Sequence, residues 1–190
     1  MRVIAGSARR LLLKTPPGND TRPTTDRIKE TLFNMIQFDI PGSSFLDLFA
    51  GSGGIAIEAL SRGALHATLA DINPKAVACI KENLIHTGFS DNADVYTGDA
   101  VQIVKRIASM RKKAYDIVFL DPPYGQGLED RSLSCMKGTG LLNSDSVIIV
   151  EMDIDADADH FRENGYSIER IKEYKTNKHV FLKLKNTELV

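Results

Sequence analysis

The chain has 190 residues, 43% hydrophobic and 26% charged, with a formal net charge of −1, which excludes wholesale disorder, collagen-like repetition and a coiled coil and fits a domain with a sizeable core. Its two cysteines, Cys79 and Cys135, form no CxxC pair and join no His/Cys cluster, which excludes a disulfide scaffold and a structural zinc site. No apolar run approaches the roughly 20 residues of a membrane span, and the opening MRVIAGSARR lacks a signal-peptide core, so a cytoplasmic protein with no membrane or metal partner is expected.

Residues 1–30 carry seven Lys or Arg against three acids, and the remaining residues seventeen against twenty-two. That asymmetry reads either as a polyanion-facing arm or as a solvated edge hairpin whose charges discourage strand-to-strand aggregation. Residues 2–5 and 10–14 are short β-prone runs around Gly6 and Ser7, which predicts a small hairpin. Residues 1–23 are expected to form a basic hairpin and linker, ahead of a domain spanning 24–190.

From Thr24, the text TTDRIKETLFNMI places Ile28, Leu32, Met35 and Ile36 on one helical face, with Thr24 or Thr25 as N-cap. An alternation follows: strand 44–49, helix 54–62, strand 66–71, helix 74–86, strand 93–97, helix 100–110, strand 115–121. Strands alternating with helices of this length predict βαβ units and a parallel sheet. Next come a short helix near 129–137, strand 146–151, a helix near 156–164, and β-like runs 166–173 and 178–184. The short connection around Asn177 makes the last two an antiparallel edge pair, because a parallel return needs a long crossover. The acidic run Glu151–Asp159 has Ala158 and Asn164 where a calcium loop needs Gly and Glu, so it reads as a solvated strand-to-helix loop.

The segment LDLFAGSGGIAIEAL joins the first central strand to its helix with Gly51, Gly53 and Gly54 in the turn. Glycine lets a ligand approach the backbone and permits positive φ, and the NH groups opening the helix then face that ligand. Twenty residues after Gly51, Asp71 ends the second strand, where its carboxylate can accept from both ribose hydroxyls of an adenosine. Gly51-x-Gly53-x-x-Ala56 fits a dinucleotide fingerprint equally well, so the loop alone does not separate a nicotinamide enzyme from an S-adenosylmethionine enzyme. Asp47, inside an apolar strand, calls for a partner, and the methionyl ammonium of S-adenosylmethionine is one. Asp99, in TGDA, suits an adenine amine or a helix N-cap. Phe49, Ala50, Ile72 and Ala100 flank these positions and complete the expected cofactor set.

Strand YDIVFLD runs into Asp121-Pro122-Pro123-Tyr124-Gly125. Prolines fix φ and withhold NH donors, so the Asp121 carboxylate and the Pro122 carbonyl face a ligand mainly as acceptors. An exocyclic amine has its lone pair delocalised into the ring and needs its N–H bonds held before it can attack a methyl carbon on sulfonium. Tyr124 can stack on the base.

LDLFAGSGGIAIEAL, DIN, GDA and DPPY, with the upstream RPTTDRIKETLFN, resemble the RsmD family of bacterial small-subunit ribosomal RNA guanine-N2 methyltransferases over nearly the whole chain. DPPY alone is shared by amino-methyltransferases of DNA, RNA and protein; the upstream motif is more particular. The resemblance implies a class I S-adenosylmethionine-dependent methyltransferase of Rossmann-like α/β fold, a seven-stranded mostly parallel sheet with an antiparallel edge hairpin and a small N-terminal β-hairpin extension. It implies S-adenosyl-L-methionine as donor and a guanine in 16S ribosomal RNA as acceptor, within an assembling small subunit, acted on by a monomer. By position, Asp121, Pro122, Pro123 and Tyr124 become the catalytic motif, Gly51, Gly53, Asp71 and Asp99 line the cofactor, and Arg22, Thr24 and Arg27 border the active site. Tyr174-Lys175 stands where such proteins often show Tyr-Gly. Given an RNA target, Arg9, Arg10 and Lys14 are expected to contact phosphates. A DNA adenine or cytosine amino-methyltransferase, a nicotinamide oxidoreductase and a noncatalytic RNA-binding module remain as alternatives. The first usually needs an added recognition domain, and the second lacks an evident Tyr-x-x-x-Lys pair.

Overall fold

This computed structural model describes residues 1–16, 25–110 and 113–185. Helix α1 (Asp26–Met35) starts at Thr25, whose hydroxyl accepts from the Ile28 NH and satisfies one donor of the first turn. The alternation then follows as β1 (Ser44–Asp47), α2 (Gly54–Ser61), β2 (His66–Asp71), α3 (Pro74–Thr87), β3 (Ala93–Thr97), α4 (Ala100–Met110), β4 (Ile117–Leu120), α5 (Leu128–Met136), β5 (Val147–Asp153), α6 (His160–Glu163), β6 (Tyr166–Glu173) and β7 (Asn177–Leu184).

The strands make one seven-stranded sheet in the order β3-β2-β1-β4-β5-β7-β6. The first five run parallel, and β7 joins β5 antiparallel with β6 outside it. Period-two alternation divides the buried residues into two layers. Phe45, Leu69, Ile117 and Phe119 face α1, α2 and α3, whereas Leu46, Leu48, Val118 and Leu120 face α4, α5 and α6. With both faces covered, the central strands read as continuous apolar runs, as in IVFL of β4. The chain reverses its strand order between β1 and β4, and a ligand crevice belongs at that switch point.

The N-terminal segment is more tightly bound to the body than a hairpin would be. Pairing between its two runs is confined to one bridge, Arg2 with Leu12, and bonds such as Val3 NH to Leu11 O at 2.9 Å. Several of its other NH groups bind the helices: Ile4 and Ala5 donate to Glu58 and Ala8 to Ser61 Oγ on α2, and Lys14 donates to Asn83 Oδ1 on α3. The segment runs from Met1 beside Gly54 and Ser52, along α2 to Ser61, and back to Lys14 beside Asn83. Val3, Ala8 and Leu13 enter the core.

The buried face of α1 is Lys29, Leu32 and Phe33, followed by Ile36, while Ile28 and Met35 are only half-buried. The expected helix 156–164 shortens to His160–Glu163, because Asp153 and Asp157 accept NH groups two residues ahead and hold the chain in turns. Strand β4 ends at Leu120, one residue before the expected boundary, which leaves Asp121 free of the ladder.

Candidate active site

The carboxyl ends of β1, β2, β4 and β5 and the start of α1 enclose a cleft of about 630 Å³. The glycine loop shapes its floor. Gly51 and Gly53 have positive φ, and the Gly51 NH donates to Asp71 Oδ2 at 2.8 Å while the Asn73 NH donates to Oδ1 at 2.8 Å. Asp71 therefore ties the tip of β2 to the loop, with one acceptor site on each oxygen committed to backbone. Gly53 opens α2 but does not line the cleft; a Cβ there would point at Leu69, Ile57 and Ile80 in the core. Asp99 caps α4 through Oδ1, accepting from the NH groups of Val101 and Gln102, and also lines the cleft.

Asp47 is 1% exposed, and its Oδ1 has no hydrogen-bond partner among the described residues. Burial drives its carboxyl up from 3.8 to about 7, aided by the Asp71 charge and opposed by the NH groups of Phe49 and Ala56. A buried acceptor without a donor, in a cleft wall, fits a cationic ligand group. Asp121 is likewise pushed well above the ordinary carboxylate range, by burial and then by the charges of Glu151 and Asp47. The tips of β1, β4 and β5 thus gather three carboxyl groups on one side of the cleft, where like charges disfavour ionisation.

Of the expected cofactor and catalytic residues, Asp47, Phe49, Ala50, Gly51, Asp71, Ile72, Asp99, Ala100 and Asp121 through Tyr124 all line this cleft. Ile72 is largely open to solvent and Tyr124 partly so, at 71% and 43%, as surfaces on which an aromatic ring can lie.

The basic residues are dispersed. Arg27 is exposed on the first turn of α1, between Thr25 and Ile28, which both line the cleft. Arg9 and Arg10 are exposed beside the turn that docks on Ser61, a helix length from the cleft end of α2. Lys14 pairs with Glu82 at 2.7 Å and Arg2 with Asp26 at 2.6 Å. Arg22 and Thr24 lie outside the described residues. No group of three metal-ligating side chains is assembled among the described residues.

Sequence reasoning passed over Glu151 and Asn177, which line the acceptor side of the cleft, and Met1, which lines its N-terminal wall. Glu151 carried a usable signal, being a third acid at a strand tip after Asp71 and Asp121. Asn177 and Met1 carried none, because their placement depends on the antiparallel edge and on the docking of the N-terminus.

A family model described as "Conserved hypothetical protein 95" matches residues 1–184. The chain is 42% identical over 153 residues to "Putative rRNA methyltransferase YlbH" of Bacillus subtilis, covering 80% of this chain and 83% of that protein. It is 35% identical over 155 residues to "Ribosomal RNA small subunit methyltransferase D" of Escherichia coli (strain K12), covering 82% and 76%. Among solved structures, the Thermus protein TTHA0928 superposes with a TM-score of 0.81 at 26% identity, covering 97% of this chain and 99% of the other.

Proposed function

Because the chain belongs to the family described as Conserved hypothetical protein 95, we propose that it transfers a methyl group from S-adenosyl-L-methionine to the exocyclic N2 amine of a guanine in small-subunit ribosomal RNA. The observation that carries this reading is the placement of Asp121 and Pro122 in one cleft with the glycine loop, Asp71 and Asp47, whose Oδ1 has no partner among the described residues. S-adenosylmethionine, when bound, supplies an electrophilic methyl on a sulfonium.

The chain's own residues do the rest. Asp47 presents Oδ1 to the methionyl ammonium, and Gly51 and Asp71 receive the ribose. Ile72 offers an apolar face to the adenine, with Asp99 and Ala100 beside it. On the acceptor side, the Asp121 carboxylate and the Pro122 carbonyl accept the two N–H bonds of the target amine, draw the nitrogen toward tetrahedral geometry and aim its lone pair at the methyl carbon. Pro122 and Pro123 contribute no competing NH donors. Tyr124 stacks on the base. The methylated amine is acidic enough to release its proton to water, so the role assigned to Asp121 is to hold and aim.

The substrate-facing surface follows from charge and position. Arg27 stands at the cleft rim, while Arg9 and Arg10 offer a second phosphate contact at the far end of α2, suited to an extended RNA. The Glu82 partner of Lys14 reduces its share. Phosphate contacts give affinity without sequence information, so selection of one guanine rests on local RNA shape and on extrusion of the base into the cleft. An assembling subunit, with proteins already bound, presents such a shape.

Incubation with methyl-labelled cofactor and separate pools of genomic DNA, naked ribosomal RNA and small subunits tests the reading. Label is expected in small-subunit RNA as N2-methylguanine, and label in DNA alone would sink the proposal. Asp121→Ala is expected to lower transfer by about a hundredfold or more while leaving S-adenosylhomocysteine binding intact.

A further inference from the structure

The methyl-transfer reading uses Asp121 and Tyr124 but leaves an adjoining buried polar chain without a task. Glu151, near the end of β5, is 7% exposed, and three groups address its carboxylate. The Tyr124 hydroxyl donates to Oε1 at 3.2 Å, and Asn177 Nδ2 donates to the same oxygen at 2.6 Å. His179 Nε2 lies 3.0 Å from Oε2, and its other ring nitrogen lies 3.1 Å from the Tyr174 hydroxyl. With Nε2 donating to the carboxylate, Nδ1 of a neutral ring accepts from Tyr174.

Glu151 and His179 are directly paired across β5 and β7, and His179 has no exposed surface. Its ring is wedged edge-on against Phe119, with centroids 6.0 Å apart, and Tyr174, 5.0 Å apart. The carboxylate is therefore fixed from behind by the sheet edge. Tyr124 is the opposite case: it sits on the loop between β4 and α5, with Gly125 and Gly127 at positive φ, and the bond to Glu151 is its one hydroxyl contact among the described residues. An acid buried at this point, where an apolar residue would pack at lower desolvation cost, is explained by what it holds.

We propose that Glu151, anchored from β7 by Asn177 and His179, is a positioning residue that fixes the Tyr124 hydroxyl and so the ring against which the acceptor base lies. The proposal rests on the methyl-transfer reading above. It makes the antiparallel edge part of the acceptor site: the extra strand β7 supplies the groups that hold the acceptor of a hydrogen bond whose donor is the stacking tyrosine on the β4–α5 loop.

A double-mutant cycle tests it. Tyr124→Phe removes the donor; Glu151→Leu removes the acceptor at similar volume; Glu151→Gln keeps an oxygen for Tyr124. Tyr124→Phe and Glu151→Leu are each expected to lower kcat about tenfold, with KM for the RNA and the affinity for S-adenosylhomocysteine changed less than about twofold. The double variant is expected to be no slower than the slower single variant, and Glu151→Gln should restore most of the turnover. Losses that multiply in the double variant, or Tyr124→Phe at wild-type kcat, would overturn the proposal. Should Glu151→Leu fail to fold, the same cycle is run with Asn177→Ala and Tyr124→Phe. The ring-carbon NMR resonance of Tyr124, recorded with S-adenosylhomocysteine bound, is expected to move in Glu151→Leu and stay in Glu151→Gln. That readout needs no acceptor, so it separates failure of the positioning role from failure of the methyl-transfer reading.

Discussion

Lys29 of α1 and Glu58 of α2 form an ion pair at 3.2 Å in which neither side chain has any solvent exposure. Lys29 Nζ also donates to the Arg2 carbonyl at 2.6 Å, and Glu58 accepts from the NH groups of Ile4 and Ala5 and from Arg62 Nε. The pair pins the N-terminal segment to the helices beneath it, so that Met1, Thr15 and Pro16 reach the cleft wall. Burial pushes the Lys29 ammonium down, and the Glu58 charge pulls it back.

Lys29→Met removes one of the two cations paired with the buried Glu58 carboxylate, and because Arg62 Nε stays 2.8 Å from it, the cost is expected to be no more than about 3–5 kcal/mol. Urea denaturation is expected to show that loss. Adding Glu58→Gln to Lys29→Met should not recover it, since the amide keeps one oxygen where Ile4, Ala5 and Arg62 donate to two. Equal midpoints for Lys29→Met and the parent protein would show that the pair does not hold the segment.

Gly6 turns at φ +83 against the end of α2, where a Cβ would overlap the Ser61 carbonyl oxygen. Gly42 has a similar φ of +76 with open space around it. Gly42→Ala therefore carries only the left-handed strain, about 1–2 kcal/mol, whereas Gly6→Ala must also break the docking of Ser7 and Ala8 on Ser61. Thermal melts are expected to place Gly6→Ala well below Gly42→Ala; coincident curves would mean that the close approach to Ser61 is not a structural requirement.

The sheet and its cleft were legible in the sequence because both depend on local signals. Apolar runs such as IVFL fix strands, and glycines and acids at strand ends mark the loops that a parallel sheet gathers on one edge. The N-terminal segment was not legible in the same way. The basic residues of 1–30 read as a polyanion-facing arm or a solvated edge hairpin, yet Lys29, on α1, is buried in a pair with Glu58, twenty-nine positions away, and Lys14 is paired with Glu82, sixty-eight positions away. No periodicity announces such partners. The run from Glu151 to Asp159 read as a solvated loop, but its first acid is buried by Asn177 and His179 of a strand that arrives later in the chain.

Asp47 gives the ligand-free protein a pH dependence of defined sign. Its folded value of about 7 lies above the ordinary 3.8, so between these values the folded state binds the extra proton. Stability from this group is complete below about 4 and is lost as pH rises toward 7. Asp47→Asn removes the penalty and should raise the ligand-free melting temperature relative to the parent at pH 8, by an amount equivalent to a few kcal/mol, with little difference at pH 4. It should weaken binding of a cationic methyl donor at pH 8. A variant less stable than the parent at pH 8 would contradict the assignment.

Asp121 makes the corresponding prediction for turnover. Its carboxyl is raised by burial, then by Glu151 of β5 and Asp47 of β1, and it must be ionised to accept from the target amine. The acidic limb of kcat/KM is therefore expected at a pH above the ordinary carboxylate range. A bound cationic donor opposes the neighbouring carboxylates, so the limb of kcat should lie lower than that of kcat/KM. Glu151→Gln deletes one of the two charges while keeping an oxygen for Tyr124, and it should shift the kcat/KM limb toward acid. A limb unmoved by Glu151→Gln would mean either that another group titrates or that the two carboxylates do not sense each other. Asp121→Asn, which cannot ionise, decides between these: loss of the limb identifies Asp121 as the titrating group.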